Sequence, residues 1–133
     1  MTQILNPLAT AGLDLVLVVG AFAPNGGSAV SQASISNGRE FVSIARTGTG
    51  AFLIKFAEAY PQLVSKWVDV TANAAIDLKG QFGVYTQAAA GPPFVPPQIV
   101  LTLLAGATPT DMAANANNRV SFGFIFRKTT VQT

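Results

Sequence analysis

Hydrophobic residues recur with a period of two along most of this chain, the spacing of strands that bury one face and leave the other to solvent. The clearest case lies near the C-terminus, where Val120, Phe122, Phe124 and Phe126 alternate with Ser121, Gly123, Ile125 and Arg127. Ala51 to Ala57 sets Phe52, Ile54 and Phe56 opposite Leu53 and Lys55, and Glu40 to Arg46 sets Val42 and Ile44 opposite Ser43 and Ala45. Between these two runs lies Arg46-Thr-Gly-Thr-Gly50. Its glycines can supply the positive φ of a tight turn, so residues 40–57 are predicted to form a β-hairpin. Further strands are predicted over Leu13–Ala23, Ser28–Ile35, Val64–Ala72, Lys79–Thr86 and Gln98–Leu104, which makes eight in all.

Turn signals punctuate these strands: Pro24-Asn-Gly-Gly27, Asn37-Gly38, Gly91-Pro-Pro93 with Pro96-Pro97, and the stretch Thr108 to Asn118. Helix is confined to two short candidates, Ala57–Leu63, interrupted by Pro61, and Thr110–Asn115, where Asp111 is placed to cap. Eight short strands with a turn signal every ten residues or so predict an all-β fold, a single-domain antiparallel β-sandwich of jelly-roll type. One domain spans residues 1–133, with an N-terminal arm at 1–11 and a C-terminal tail at 129–133. The predicted core comprises Val42, Ile44, Phe52, Ile54, Phe56, Ile99, Leu101, Leu103, Phe122 and Phe124, the apolar phases of the alternating strands.

Composition changes the picture in one respect. Only 11% of the 133 residues are charged, against about 25% in typical soluble domains. A surface so poor in charge is either rich in Ser, Thr, Asn and Gln, as this chain partly is, or normally covered by protein; the second reading is favoured. Eight Lys or Arg against six Asp or Glu leave a net charge of +2. The longest basic run is Arg127-Lys128, too little for the clustered basic face that nucleic acid requires. The apolar run Leu15 to Val19, extended to Ala23, is too short to span a bilayer. No Lys or Arg precedes it and Pro24 would follow a cut after Ala23, so it is read as a core strand and not as a cleaved signal.

The chain has no His and no Cys. Ser-His-Asp triads, Cys-His pairs, the usual zinc sites and haem anchors are therefore out of reach. The remaining acid–base option is a carboxylate pair, of which Asp69 and Asp77 are the members that neighbouring strands could bring together. A solvated carboxylate or a local ion pair is the commoner role. Gly48-Thr-Gly50 lacks the Gly-Lys-Ser/Thr of a phosphate loop and is assigned to the hairpin turn. No cofactor, no metal and no enzymatic activity are expected.

Binding is the remaining option, and the aromatic residues are where it can reside. Most of the nine Phe occupy inward strand positions. Trp67 differs, because it shares a strand face with Ser65, Asp69 and Thr71, opposite Val64, Val68 and Val70. Either it points outward as a contact residue or it fills a second core. Tyr85 is its companion as a stacking residue for a sugar. Phe94 and Val95, held in the stiff run Pro92-Pro-Phe-Val-Pro-Pro97, and the uncharged arm residues Ile4, Leu5 and Leu8 complete the interface candidates.

The hairpin Phe41-Val-Ser-Ile-Ala-Arg-Thr-Gly-Thr-Gly-Ala-Phe-Leu-Ile-Lys-Phe56 and the closing strand Arg119-Val-Ser-Phe-Gly-Phe-Ile-Phe-Arg-Lys128 resemble the small β-sandwich decoration, or cement, proteins of tailed-phage virions. The resemblance covers about half the chain and includes no diagnostic motif. It implies a bacteriophage structural protein, made in the host cytoplasm and located on the outer capsid surface of the virion. Its implied partners are the major capsid protein and copies of itself, as a homo-oligomeric dimer or trimer. The rival reading is a receptor- or carbohydrate-binding module of a phage tail or fibre; a small cupin-type enzyme is disfavoured by the absent histidines.

Overall fold

The alternation of Val120, Phe122, Phe124 and Phe126 has its physical meaning in the position of their strand. In the computed structural model, which describes residues 15–73, 77–87 and 95–127, Arg119–Arg127 is the central strand of a three-stranded sheet, and those four side chains point into the core. The strands in chain order are β1 (Leu15–Phe22), β2 (Phe41–Gly48), β3 (Ala51–Phe56), β4 (Gln62–Thr71), β5 (Leu78–Phe82), β6 (Gln98–Ala105), β7 (Thr108–Pro109) and β8 (Arg119–Arg127). One sheet has the order β1-β8-β4 and the other β2-β3-β6-β5, with β7 paired to the end of β6. Every strand pair is antiparallel, so the chain is an all-β sandwich of eight strands, with its first and last strands side by side.

Rings from the two sheets meet in the middle. Phe22 of β1 lies 4.9 Å from Phe52 of β3, Phe41 of β2 meets Phe122 edge-on at 5.6 Å, and Phe56 of β3 meets Phe124 edge-on at 5.0 Å. Edge-to-face pairs set the positive ring edge against the negative face of the partner and contribute about 0.5–1.5 kcal/mol each beyond area burial. Ile44, Ile54, Ile99, Leu101 and Leu103 fill the space between the rings and are fully buried. Nine of the ten predicted core residues are therefore in the core.

Val42 is the exception, at 59% exposed. The pairing of β2 with β3 steps from Phe41↔Phe56 to Ser43↔Lys55, so one extra residue is accommodated at Val42. A β-bulge of this kind puts two residues opposite one and shifts the alternation by a place. Phe41 and Ile44 consequently face inward while Val42 is expelled. The β2–β3 pairing shifts once more between Arg46 and Gly48, and the same device expels two further valines. A shift between Leu63 and Ser65 in β4 leaves Val64 50% exposed. Three residues, Gly83 to Tyr85, span the gap between Phe82↔Leu101 and Thr86↔Gln98 that two residues of β6 occupy, leaving Val84 85% exposed.

Three other expectations change. Ser28–Ile35 is not a strand: Gln32–Ser34 forms a 3-10 turn, and only Ser36 bridges to Ala21. Serine side chains supply local hydrogen bonds that compete with a ladder, here Ser34 Oγ donating to the Ser31 carbonyl at 2.7 Å and accepting from the Ala23 N–H at 3.2 Å. Neither predicted helix forms. Gln62 already begins β4, and Thr110–Asn115 is irregular chain in which Met112 is buried. Thr108–Pro109, expected in a loop, adds a two-residue strand after Gly106, whose φ of +64° reverses the chain.

The bulges and the core make opposite predictions for neighbouring residues. Phe122→Ala is expected to destabilise the fold by about 3–5 kcal/mol, as a large cavity in a packed core does. Val42→Ala is expected to cost less than about 0.5 kcal/mol. Urea titrations followed by circular dichroism check both; equal losses at the two positions would contradict the bulge assignment.

Candidate functional site

Residues 65, 67 and 69 of β4 stand on the outer face of the three-stranded sheet, because Val68 and Val70 pair with the inward Phe122 and Val120. Trp67 lies opposite Gly123 of β8, which in turn lies opposite Val19 of β1. The indole rests directly on that glycine. A Cβ built on Gly123 would come within 2.0 Å of Trp67 Cζ2 and 2.4 Å of Cε2, so no other residue leaves room for the ring. Trp67 is 45% exposed, with Val19 (44%) and Leu17 (51%) on the same face and the partly buried Ile125 between them. The outward reading of Trp67 therefore holds.

Beside Trp67 runs a groove of about 540 Å³ whose walls include Val19, Asn37, Asp69 and Ser121. Asn37, at φ +62°, donates its side-chain amide to the Val19 carbonyl at 2.8 Å and so ties the loop after the 3-10 turn to the edge of β1. Arg119 reaches across from β8 and donates at 2.8 Å to the Oγ of Ser36, one of the residues that line the groove.

Tyr85 is not brought to this face. The bulge at Val84 turns it inward, where its ring meets Phe56 and Phe126, and its hydroxyl donates to the Tyr60 carbonyl at 2.7 Å. Burial, and secondarily the neighbouring Tyr60, pushes its phenol up to about 12. Tyr60 is likewise pushed up to about 12, first by burial and then by the charges of Glu40 and Glu58, and stacks on Phe126 at 4.4 Å. Both tyrosines seal one end of the core, so Tyr85 is unsuited to stacking on a ligand at the Trp67 face. Val95 is exposed, while Pro97 is buried and its carbonyl accepts the Phe56 N–H at 2.9 Å, which fastens the end of the proline run to β3. Ile4, Leu5, Leu8 and Phe94 lie outside the described residues.

The carboxylates are equally separated. Asp69 lines the Trp67 groove, whereas Asp77 and Asp111 line a different, mainly apolar cavity of about 500 Å³ with Leu78 and Met112. Asp111, expected to cap a helix, instead accepts a two-pronged hydrogen bond from Arg46, at 2.8 and 3.0 Å, and the Gly50 N–H at 2.8 Å. Gly50, at φ +65°, is the hairpin turn residue, so one carboxylate locks the β2–β3 turn to the segment that returns toward β8. The Arg46 hydrogen bonds and the Gly50 N–H hold the Asp111 carboxyl below the usual aspartate range.

Sequence reading missed Leu17 and Val19. The signal was present as apolar residues on both phases of β1, but a run apolar on both phases does not say which phase meets solvent. The clasp at Asp111 has a measurable pH signature. Because folding lowers the carboxyl, its stabilisation is complete above the unfolded value of about 3.9 and is lost as pH falls through the lower folded value. Thermal melts at successively lower pH are expected to show a steeper fall for the wild type than for Asp111→Asn; identical slopes would contradict the clasp. Comparison with protein-family models, with curated proteins and with solved structures returns no match.

Proposed function

We propose that this chain is a non-catalytic structural protein that docks on a protein shell, and that its shell is a bacteriophage capsid, which it decorates and stabilises. The observation that carries the docking reading is the apolar relief on the outside of the five-stranded sheet, a face whose charges are Lys55 of β3 and Lys79 of β5 among the described residues. Val100 of β6 is exposed there beside Leu53 of β3, with the expelled Val84 next to it and the expelled Val42 on the edge strand β2. An exposed valine gains about 1.5–3 kcal/mol when fully buried, so a few such side chains supply a substantial part of a standard interface of about 1,600 Å². The capsid as partner comes from the sequence resemblance of the β2–β3 hairpin and the closing strand to decoration proteins. Copies of the chain touching several shell subunits at once would reinforce weak individual contacts.

Burial of mainly apolar surface predicts weak dependence on salt. Occupancy on purified expanded capsids is expected to change little between about 0.05 and 1 M sodium chloride, a range in which exposed ion pairs lose most of their worth. Val84→Asp and Val100→Asp are expected to lower occupancy about tenfold or more, because each buries an unpaired charge. A monodisperse monomer that fails to bind expanded capsids overturns the proposal, as does loss of most bound protein across the salt range.

A further inference from the structure

The Trp67 groove is separate from the valine relief, on the opposite outer face of the sandwich, and its chemistry differs. We propose that it is a carbohydrate-binding subsite that takes a neutral pyranose ring against the open face of the Trp67 indole. One face of the ring is spent on Gly123, and the remaining exposure of Trp67 is on its solvent side. A pyranose has the matching shape: one face of C–H groups that packs on an aromatic plane, and a rim of hydroxyls that needs donors and acceptors at the edge of that plane. Sites for small molecules are mainly apolar with a few placed polar groups, and this groove has that composition.

The polar groups are of the right kind and in the right place. Asp69 follows Trp67 by two residues on the same face of β4 and pairs with Ser121 of β8, so a carboxylate and a hydroxyl stand side by side one step along the sheet from the indole. A carboxylate accepts hydrogen bonds from two adjacent sugar hydroxyls, and serine both donates and accepts. Asn37 spends its NH₂ on the Val19 carbonyl, which leaves its Oδ1 as a further acceptor.

Trp67 with Asp69 would also attract a cation, through the ring face and the carboxylate together. Arg119 decides between the two ligands. Its guanidinium is held on the Ser36 hydroxyl, which lines the groove on the β1 side, while Asp69 lines it from β4, so the groove has a positive charge at one side and a negative one at the other. A second cation would meet that charge, whereas a neutral polyol meets a donor at one side and an acceptor at the other. The groove beside the indole is also low-walled, since Ala21 projects little above the sheet and Ser121 adds only a hydroxymethyl.

Trp67 is the single tryptophan of the chain, so its fluorescence reports on this site alone. The full-length protein is titrated with methyl glycosides of the common hexoses and N-acetylhexosamines and their short oligomers, with arginine amide as the cationic probe. The expected result is a saturable change in Trp67 emission with at least one glycoside and none with arginine amide. Asp69→Asn is expected to weaken that ligand about tenfold. Trp67→Ala is expected to abolish contact seen by ligand-observed NMR, while Trp67→Phe, which retains a ring, keeps it. Circular dichroism confirms that each variant is folded, and a variant that is not is replaced by Ser121→Val, which removes the hydroxyl and crowds the floor. No saturable response to any glycoside, a response to arginine amide alone, or binding unchanged in Asp69→Asn and Trp67→Ala overturns the inference. Capsid occupancy of Trp67→Ala separates this inference from the docking proposal. Occupancy is expected to be unchanged; if it collapses while no glycoside binds, the Trp67 face is a protein contact and the subsite assignment fails with shell docking intact.

Discussion

Edge-on packing of phenylalanines between two sheets is the constraint on which the rest of this protein depends. Phe56 touches Phe41, Phe124, Phe126 and Tyr85, which come from both sheets and from the segment after β5. Rings of that size fix the separation of the sheets and the register of the strands that carry them, because a one-residue slip would move every ring on a strand to the solvent side. Close-packed interiors do not absorb such a change. The neutral surface is tolerable in part because the core is so well specified: stability need not come from ion pairs, of which Arg46–Asp111 is the one found among the described residues.

That ion pair works through geometry more than through charge. An exposed Arg–carboxylate pair contributes little, but Asp111 also accepts the Gly50 N–H, so the carboxylate bridges a hairpin turn and a distant loop. The long connection from β7 to β8 is thereby held against the end of the sandwich, with its Met112 buried and the Met112 carbonyl accepting the Gly26 N–H at 2.9 Å. Order in an irregular segment of this length requires such anchors, since the chain supplies no ladder of its own there.

The two outer faces owe their characters to different causes. On the five-stranded sheet and its edges, bulges expel valines that alternation alone would bury, which creates apolar relief without a dedicated sequence signal. On the three-stranded sheet the central strand carries a glycine, and that absence of a side chain is what lays Trp67 flat and leaves one ring face open. Bulges and close glycine contacts are common where a sheet has been shaped for contact. The two faces therefore differ in chemistry as well as in origin.

By itself the sequence determined the fold class, the hairpin with its Gly50 turn, the antiparallel alternation and nearly all of the core, because a period of two is a local property that survives wherever one face of a strand is buried. It also placed Trp67 on the polar phase of its strand. Tertiary structure alone decided what became of Val42, Val64, Val84, Tyr85 and Asp111. A bulge is a mismatch between two paired strands, so it has no signature in either strand read alone, and each one shifts the inward phase by a residue. Tyr85 became a core seal and not a binding residue through such a shift. Asp111 found Arg46 across 65 residues of chain, a contact that exists only once both sheets have closed. Strand order and the pairing of Trp67 with Gly123 belong to the same class, because long-range partners are chosen by the packing of the whole sandwich and not by the residues beside them.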